Sequence, residues 1–287
     1  MRGEKEMLEL IAGVATADER IRAAVLNGSR ANPNAAKDVF QDYDVVYFVN
    51  RLETFTENHG WIDVFGERII LQMPDEMRLP GDENDSRKKA FAYLMRLKDG
   101  NRIDLTLFPA DALETHFVFD SLSVPLLDKD GIFPALPPPN DSDYLIKKPS
   151  EKEFLDVCNE FWWVLTYIAK GLRRNEITYA KAMLETVVRE MFMKIIEWRV
   201  GVERNFSVNF GSHGRFLQQY VPAGFYAQIL STYSDADAEN IWKSIFIMTD
   251  IFEETALNVA AQLGFTYNAE EGENVIKYLK NLKKGGN

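Results

Sequence analysis

The chain is poor in the residues that build most redox and soft-metal centres. Its 287 residues include one cysteine, Cys158, and three histidines. A single cysteine excludes an internal disulfide and any thiolate metal cluster; set in a strongly apolar helical pattern, it reads as a small core residue. His59, His116 and His213 are scattered, with no metal-ligand spacing. Long hydrophobic runs are missing too. The most apolar stretch, Phe161 to Ala169, falls far short of the roughly 20 residues that span a bilayer. The opening residues Met1-Arg2-Gly3-Glu4-Lys5-Glu6 have no apolar stretch behind them of the signal-peptide kind, so the expectation is a soluble, cytoplasmic protein with no membrane partner. Positive charge is in deficit: 33 Lys and Arg face 44 Asp and Glu, for a net charge of −11. A surface of that sign repels phosphate backbones and argues against a nucleic-acid partner unless basic residues cluster locally. It would attract cationic ligands, although acidity also serves plain solubility.

What is present suffices for two ordinary domains. Hydrophobic residues make up 46 % of the chain. The first half alternates helical and strand signals: helical spacing from Glu4 to Ala12, then apolar Ile21 to Leu26 running into the turn Asn27-Gly28-Ser29. Residues Ala31 to Gln41 read as a loop or short helix, Tyr43 to Val49 as a strand rich in Val and aromatics, and Arg68 to Gln72 as another. Two further runs, Phe91 to Leu97 and Arg102 to Phe108, flank Asp99-Gly100, a dipeptide suited to a tight hairpin turn with positive φ. Pro134 and Pro137-Pro138-Pro139 then interrupt regular structure. Beyond them Ser150 and Glu153 form a capping-box pair at the head of a helix expected to reach about Leu172. More helical patterns cover Ile177 to Val200, Ala223 to Tyr233, Ala236 to Leu263 and Gly272 to Leu282. The expected fold is α+β: a small mixed sheet flanked by helices over residues 1–134, a Pro-rich linker or crossing loop over 135–149, and an all-helical bundle over 150–287.

The chemistry-bearing feature is a set of carboxylates. Asp42 and Asp44 stand two apart at the entrance to a strand, so their side chains share a face. Two like charges so placed cost free energy unless a cation, a proton or solvent relieves them. Mg²⁺, which takes oxygen ligands and binds through a few carboxylates together with substrate phosphates, relieves them most completely. A solvated acidic strand end is the plain alternative. Upstream, Gly28 allows close backbone approach to phosphate oxygens, and the hydroxyl and N–H of Ser29 can donate to them. Downstream, Asp104 lies amid the apolar residues of a hairpin strand, where a carboxylate needs a partner. Arg102, two residues away on the same face, is a structural candidate for that partner.

Apolar-Gly-Ser, a spacer, Asp-x-Asp and a later strand Asp together resemble the signature of the DNA polymerase β-like nucleotidyltransferases. The resemblance extends further. Leu26-Asn27-Gly28-Ser29-Arg30-Ala31-Asn32, Phe40-Gln41-Asp42-Tyr43-Asp44, Asp99 to Leu107, Leu126 to Asp130, Cys158 to Trp162, Tyr167 to Glu176 and Ile241 to Ser244 are similar to the aminoglycoside (streptomycin) 6-adenylyltransferases, over nearly the whole chain. That resemblance implies transfer of AMP from ATP to a streptomycin hydroxyl with release of pyrophosphate, as an antibiotic-resistance activity. It implies Mg²⁺, as two ions, held by Asp42, Asp44 and Asp104, with Asp104 a possible proton acceptor. Gly28 and Ser29 would cradle the β- and γ-phosphates, with Arg30 adding positive charge.

Streptomycin carries two guanidinium groups and an amine, so its pocket should be acidic and aromatic. In the helical half Glu160 adjoins Phe161 and Trp162, and Glu197 adjoins Trp198. Glu185 occupies a stretch that in the resembled family contributes an acid facing the acceptor, as general base or guanidinium ligand; an ordinary exposed helix glutamate is the alternative. Lys170 and Arg173, three apart on one helix face, can neutralise triphosphate or form a solvated basic patch. Trp162 and Trp163 read as core. Gly211-Ser212-His213-Gly214-Arg215 lacks the lysine and preceding strand of a P-loop and reads as a loop opening a helix. Ser29 has no Gly-x-Ser-x-Gly setting, which argues against acyl transfer. Competing readings are a nucleotidyltransferase acting on another small molecule, a protein or RNA, and a nucleotide-binding module without catalysis. A monomer or weak dimer is expected.

Overall fold

A computed structural model describes residues 1–80 and 89–286. They form two compact units, Met1–Asp143 and Tyr144–Asn287, and the division falls inside residues 135–149.

The first unit is built on a six-stranded mixed sheet of order β3-β4-β5-β2-β1-β6. The strands are β1 (Ile21–Asn27), β2 (Tyr43–Val49), β3 (Arg68–Gln72), β4 (Phe91–Leu97), β5 (Arg102–Pro109) and β6 (Val124–Asp128). All neighbours run antiparallel except β2 and β5, the one parallel pair. Strand β6 was not anticipated from its sequence, because Pro125 cannot donate to a ladder. It is tolerated here because β6 is an edge strand.

The pleat sorts side chains onto two faces. On one, Met7, Ile11 and Ala15 of helix α1 (Glu4–Ala17), spaced four apart, pack with Ala24, Leu26, Tyr43, Val45, Tyr47, Tyr93, Met95, Ile103 and Leu105. On the other, Ala23, Val25, Val46, Phe48 and Phe108 meet Leu113, Phe117, Phe119 and Phe133. Phe48 lies edge-on to Phe117 with ring centroids 4.8 Å apart, a favoured aromatic geometry. The Asp99-Gly100 dipeptide makes the turn between β4 and β5, with Gly100 at φ 93°.

The second unit is helical among its described residues, apart from an isolated bridge between Leu145 and Asn209. Helix α2 (Glu151–Arg173) opens with the full Ser150/Glu153 capping box. Its buried positions Phe154, Cys158, Phe161, Leu165, Ile168 and Leu172 alternate steps of four and three, so one stripe faces the core. The run read as one helix from Ile177 is in fact α3 (Ile177–Met183), a π-helical stretch Leu184–Val188, and α4 (Arg189–Glu203). A single helical turn, Leu217–Tyr220, is followed by helices α5 (Ala223–Leu230), α6 (Ala238–Leu263) and α7 (Ala269–Lys283). Phe161 stacks face to face on Phe252, and Cys158 is buried. The expectation for the tryptophans is half corrected: Trp162 is core at 3 % exposure, whereas Trp163 is 58 % exposed, because it falls outside the apolar stripe of α2. No helix among the described residues is long and apolar enough to cross a membrane.

Candidate active site

The three aspartates converge because of register. Parallel pairing sets Asp44 of β2 opposite Asp104 of β5, and antiparallel pairing sets Asn27 of β1 opposite Asp44 on its other side. Asp42, two residues before Asp44, shares its face. This is the face of Phe48 and Phe108, so the aromatic cluster occupies one end of the strands and the carboxylates the other. Chain reversal at the end of β1 then brings Gly28, at φ 72°, onto Asp44. A Cβ at Gly28 would overlap the Asp44 carboxylate, so only glycine lets this turn lie against it.

Arg102 supplies positive charge at the site. Its Nε and Nη2 donate to the two oxygens of Asp104, each at 2.7 Å, and its Nη1 lies 3.3 Å from Asp42 Oδ2. The fork geometry suits a bidentate carboxylate pair. Burial pushes the Asp42 carboxyl above its ordinary value; Arg102 opposes that shift and the neighbouring Asp104 charge reinforces it. Arg96, on the same face of β4, donates to the Gly100 carbonyl at 3.2 Å. A cavity of about 700 Å³ beside Arg96 and Arg102 is walled by Leu94, Ile70, Met73 and Met77.

Among the described residues, no three His, Cys, Asp or Glu side chains are gathered tightly enough to hold a metal ion. The donor set is nevertheless of the hard, all-oxygen kind that Mg²⁺ requires. Two buried oxygens on this face, Asn27 Oδ1 and Asp42 Oδ1, have no hydrogen-bond partner. Buried acceptors of that kind call for a cation or a donor, and in this respect the residues fit a bound metal. Asn27 carries no acidic signature and was passed over in the sequence; its only signal was its place in the alternation Ala23, Val25, Asn27.

Arg30, expected to add positive charge, has partners of its own in the fold. Its side chain is 6 % exposed, and its guanidinium lies 3.9 Å from the centroid of Tyr43 and donates to the Gln41 carbonyl at 2.7 Å. Tyr43 points to the α1 side of the sheet, away from the aspartates. Arg30 is thus held by Gln41 and Tyr43, and its charge still acts on the Asp42 carboxyl.

In the second unit Lys170 and Arg173 both stand exposed near the end of α2, with Lys170 over the Tyr167 ring at 4.6 Å. Glu185 lies in the π-helical stretch and accepts from Lys181 at 3.0 Å and from Arg189 at 3.1 Å. Burial works against its ionisation, but Arg189 and Lys181 outweigh it and hold the carboxyl below its ordinary value. A carboxylate so paired is a weak base and stays ionised. Glu185, Glu190 and Glu197 line a cavity of about 450 Å³ with Phe210 and Tyr233, within the range that holds small molecules.

The whole chain has close counterparts. Residues 1–282 match the model of the streptomycin adenylyltransferase family. An aminoglycoside 6-adenylyltransferase from Campylobacter jejuni is 39 % identical over 285 residues, 99 % of this chain and 97 % of the relative. One from Bacillus subtilis is 38 % identical over 98 % of each chain, and one from Staphylococcus aureus 34 % identical over 98 % of this chain and 99 % of its own. The crystal structure of an aminoglycoside 6-adenyltransferase from Bacillus subtilis aligns over 99 % of both chains at 34 % identity and a TM-score of 0.48. A carboxylate-bearing sheet, the family match over residues 1–282 and the 34–39 % identity to the three relatives lead to one assignment: the chain belongs to the streptomycin adenylyltransferase family and is a nucleotidyltransferase.

Proposed function

We propose that this protein transfers AMP from ATP to the 6-hydroxyl of streptomycin or a similar cationic aminoglycoside, releasing pyrophosphate. The observation that carries the reading is the packing of Gly28 on the Asp44 carboxylate. It sets a turn suited to phosphate directly against an acid suited to metal.

Sheet order supports the direction of the reaction. In-line displacement needs the attacking and leaving oxygens on opposite sides of phosphorus. Strand β2 is flanked by β1 and β5. Gly28 and Ser29, following β1, would hold the β- and γ-phosphates on one side of Asp44. Asp104, on β5, would take the hydroxyl proton on the other, once Arg102 yields an oxygen. Asp42, Asp44 and Asp104 would hold Mg²⁺, as two ions, which when bound would neutralise the triphosphate and stabilise charge in the transition state. Arg102 keeps the carboxylates apart and oriented until then. ATP as the donor would place the reaction in the cytoplasm.

The acceptor is cationic, and the second unit's cavity offers Glu185, Glu190 and Glu197 with two aromatic rings. Guanidinium groups pair with carboxylates and stack on rings. The lowered pKa of Glu185 favours its role as a guanidinium ligand over that of general base, which leaves Asp104 for the proton. The test is incubation with Mg²⁺, α-labelled ATP and a panel of aminoglycosides. Labelled AMP should appear on streptomycin. Bound ATP without any labelled adduct would remove this reading.

A further inference from the structure

Arg30 and Gln41 carry two hydrogen bonds that run between the turn after β1 and the entrance of β2. The Arg30 Nη2 donates to the Gln41 backbone carbonyl at 2.7 Å, and the Gln41 side-chain amide donates back to the Ser29 carbonyl at 3.1 Å. Arg30 belongs to the single helical turn Gly28–Ala31, and Gln41 immediately precedes Asp42. The two bonds therefore tie the turn after β1 to the entrance of β2, bridging the loop over residues 32–40. The guanidinium is further fixed by its stacking on Tyr43, and Glu4 lies 4.0 Å from its Nη1.

From this geometry we infer that Arg30 and Gln41 are a pair of positioning residues that hold the Gly28-Ser29 turn in register with Asp42 and Asp44. Neither touches the substrate. The inference rests on the reading of that turn as the phosphate cradle. The physical need is clear: Gly28 already touches the Asp44 carboxylate, so a shift of the turn moves phosphate and metal ligands against each other. Displacements of about 1 Å at such a site can cost about 100-fold in rate. The hydrogen-bonded ladder alone does not fix the turn, since β1 ends at Asn27 and β2 begins at Tyr43. Arginine is suited to the task where lysine is not, because its planar fork stacks on Tyr43 and donates in a fixed direction at once.

The test is a double-mutant cycle with Arg30→Met, Gln41→Ala and the double variant, reading kcat, the ATP dissociation constant and the melting temperature. Amide hydrogen exchange is followed in the ATP- and Mg²⁺-loaded protein. Each single variant should lose about 10- to 100-fold in kcat, with ATP affinity changed less than threefold. The double variant should lose no more than the worse single, and exchange should quicken in residues 28–31 and 41–44 together. A raised ATP dissociation constant in Arg30→Met with Gln41→Ala unaffected would overturn the inference and make Arg30 a phosphate ligand. Lower melting temperatures with unchanged kcat would also overturn it, as a purely structural role. If the native protein transfers no AMP to aminoglycosides, the acceptor reading fails, and the positioning pair is judged on coupled exchange and ATP titration alone.

Discussion

Gly28 lies directly on the carboxylate of Asp44, with no room for a Cβ between them. The contact joins the two parts of the site that nucleotidyl transfer needs. Gly28→Ala would place a side chain at φ 72°, which costs about 1–2 kcal/mol, and would push Asp44 aside. The expected result is a fall of at least about 100-fold in kcat/KM with a protein that still folds. Steady-state AMP transfer beside a thermal melt checks it. Near-native activity would show that Asp44 is not held by this contact.

Arg102 makes a second prediction. It neutralises Asp42 and Asp104 from within the site, so it competes with any cation those acids are meant to bind. Arg102→Met should lower the melting temperature without metal, because the carboxylates then repel unrelieved. It should also enlarge the increase in melting temperature on adding Mg²⁺, and reduce kcat by losing orientation of Asp104. Melts across a Mg²⁺ titration decide the point. An unchanged or smaller Mg²⁺ effect would mean that these acids are not the metal ligands.

How much of this was legible beforehand depends on what spacing encodes. Strands β1 to β5 and the Asp99-Gly100 turn were readable because alternation and turn chemistry are local. The same alternation put Asp42 and Asp44 on one face, and Arg102 within reach of Asp104. Strand β6 was hidden by Pro125, since edge position is a tertiary fact. The π-helical stretch around Glu185 was hidden because its buried residues Leu184 and Val188 stand four apart, a spacing that an α-helix shows as well. The surroundings of Arg30 were hidden for a related reason. Nothing in Gly-Ser-Arg says which side of the sheet the arginine takes, and Tyr43, on the α1 side, decides it. Trp163 differs from Trp162 only by a rotation of about 100° around the helix, enough to move it from core to solvent.

The turn that presents β5 is anchored to the chain's start, and this carries a pH prediction. Arg2 Nε donates to Asp99 at 2.6 Å, and Asn101 donates to the same carboxylate. Burial alone would raise the Asp99 pKa, but these hydrogen bonds prevail and hold it well below its ordinary value. A depressed folded pKa means stabilisation that is fully present above the unfolded value of 3.8 and is lost as pH falls through the folded one. Asp99→Asn should therefore cost about 1–3 kcal/mol at neutral pH, and the difference from the native protein should shrink as pH drops below 3.8. Denaturant melts at a series of pH values test this. A difference independent of pH would assign the stabilisation to shape rather than charge.

Glu185 separates acceptor binding from catalysis. In the proposed role it offers negative charge to a guanidinium, and its pairing with Lys181 and Arg189 keeps it ionised at neutral pH. Glu185→Gln keeps the shape and removes the charge. Loss of one charge-assisted hydrogen bond, about 1.5–3 kcal/mol, corresponds to roughly 10- to 100-fold in the acceptor KM, with ATP binding unchanged and kcat at saturating acceptor little reduced. A general base would behave otherwise: kcat would collapse and the acceptor KM would stay. Arg189, whose side chain is 9 % exposed, keeps its bonds to Thr232 and its stacking on Tyr233 in the variant, so the fold should hold. Initial rates over a matrix of ATP and streptomycin concentrations separate the two outcomes, and a collapse of kcat alone would move the proton-accepting role from Asp104 to Glu185.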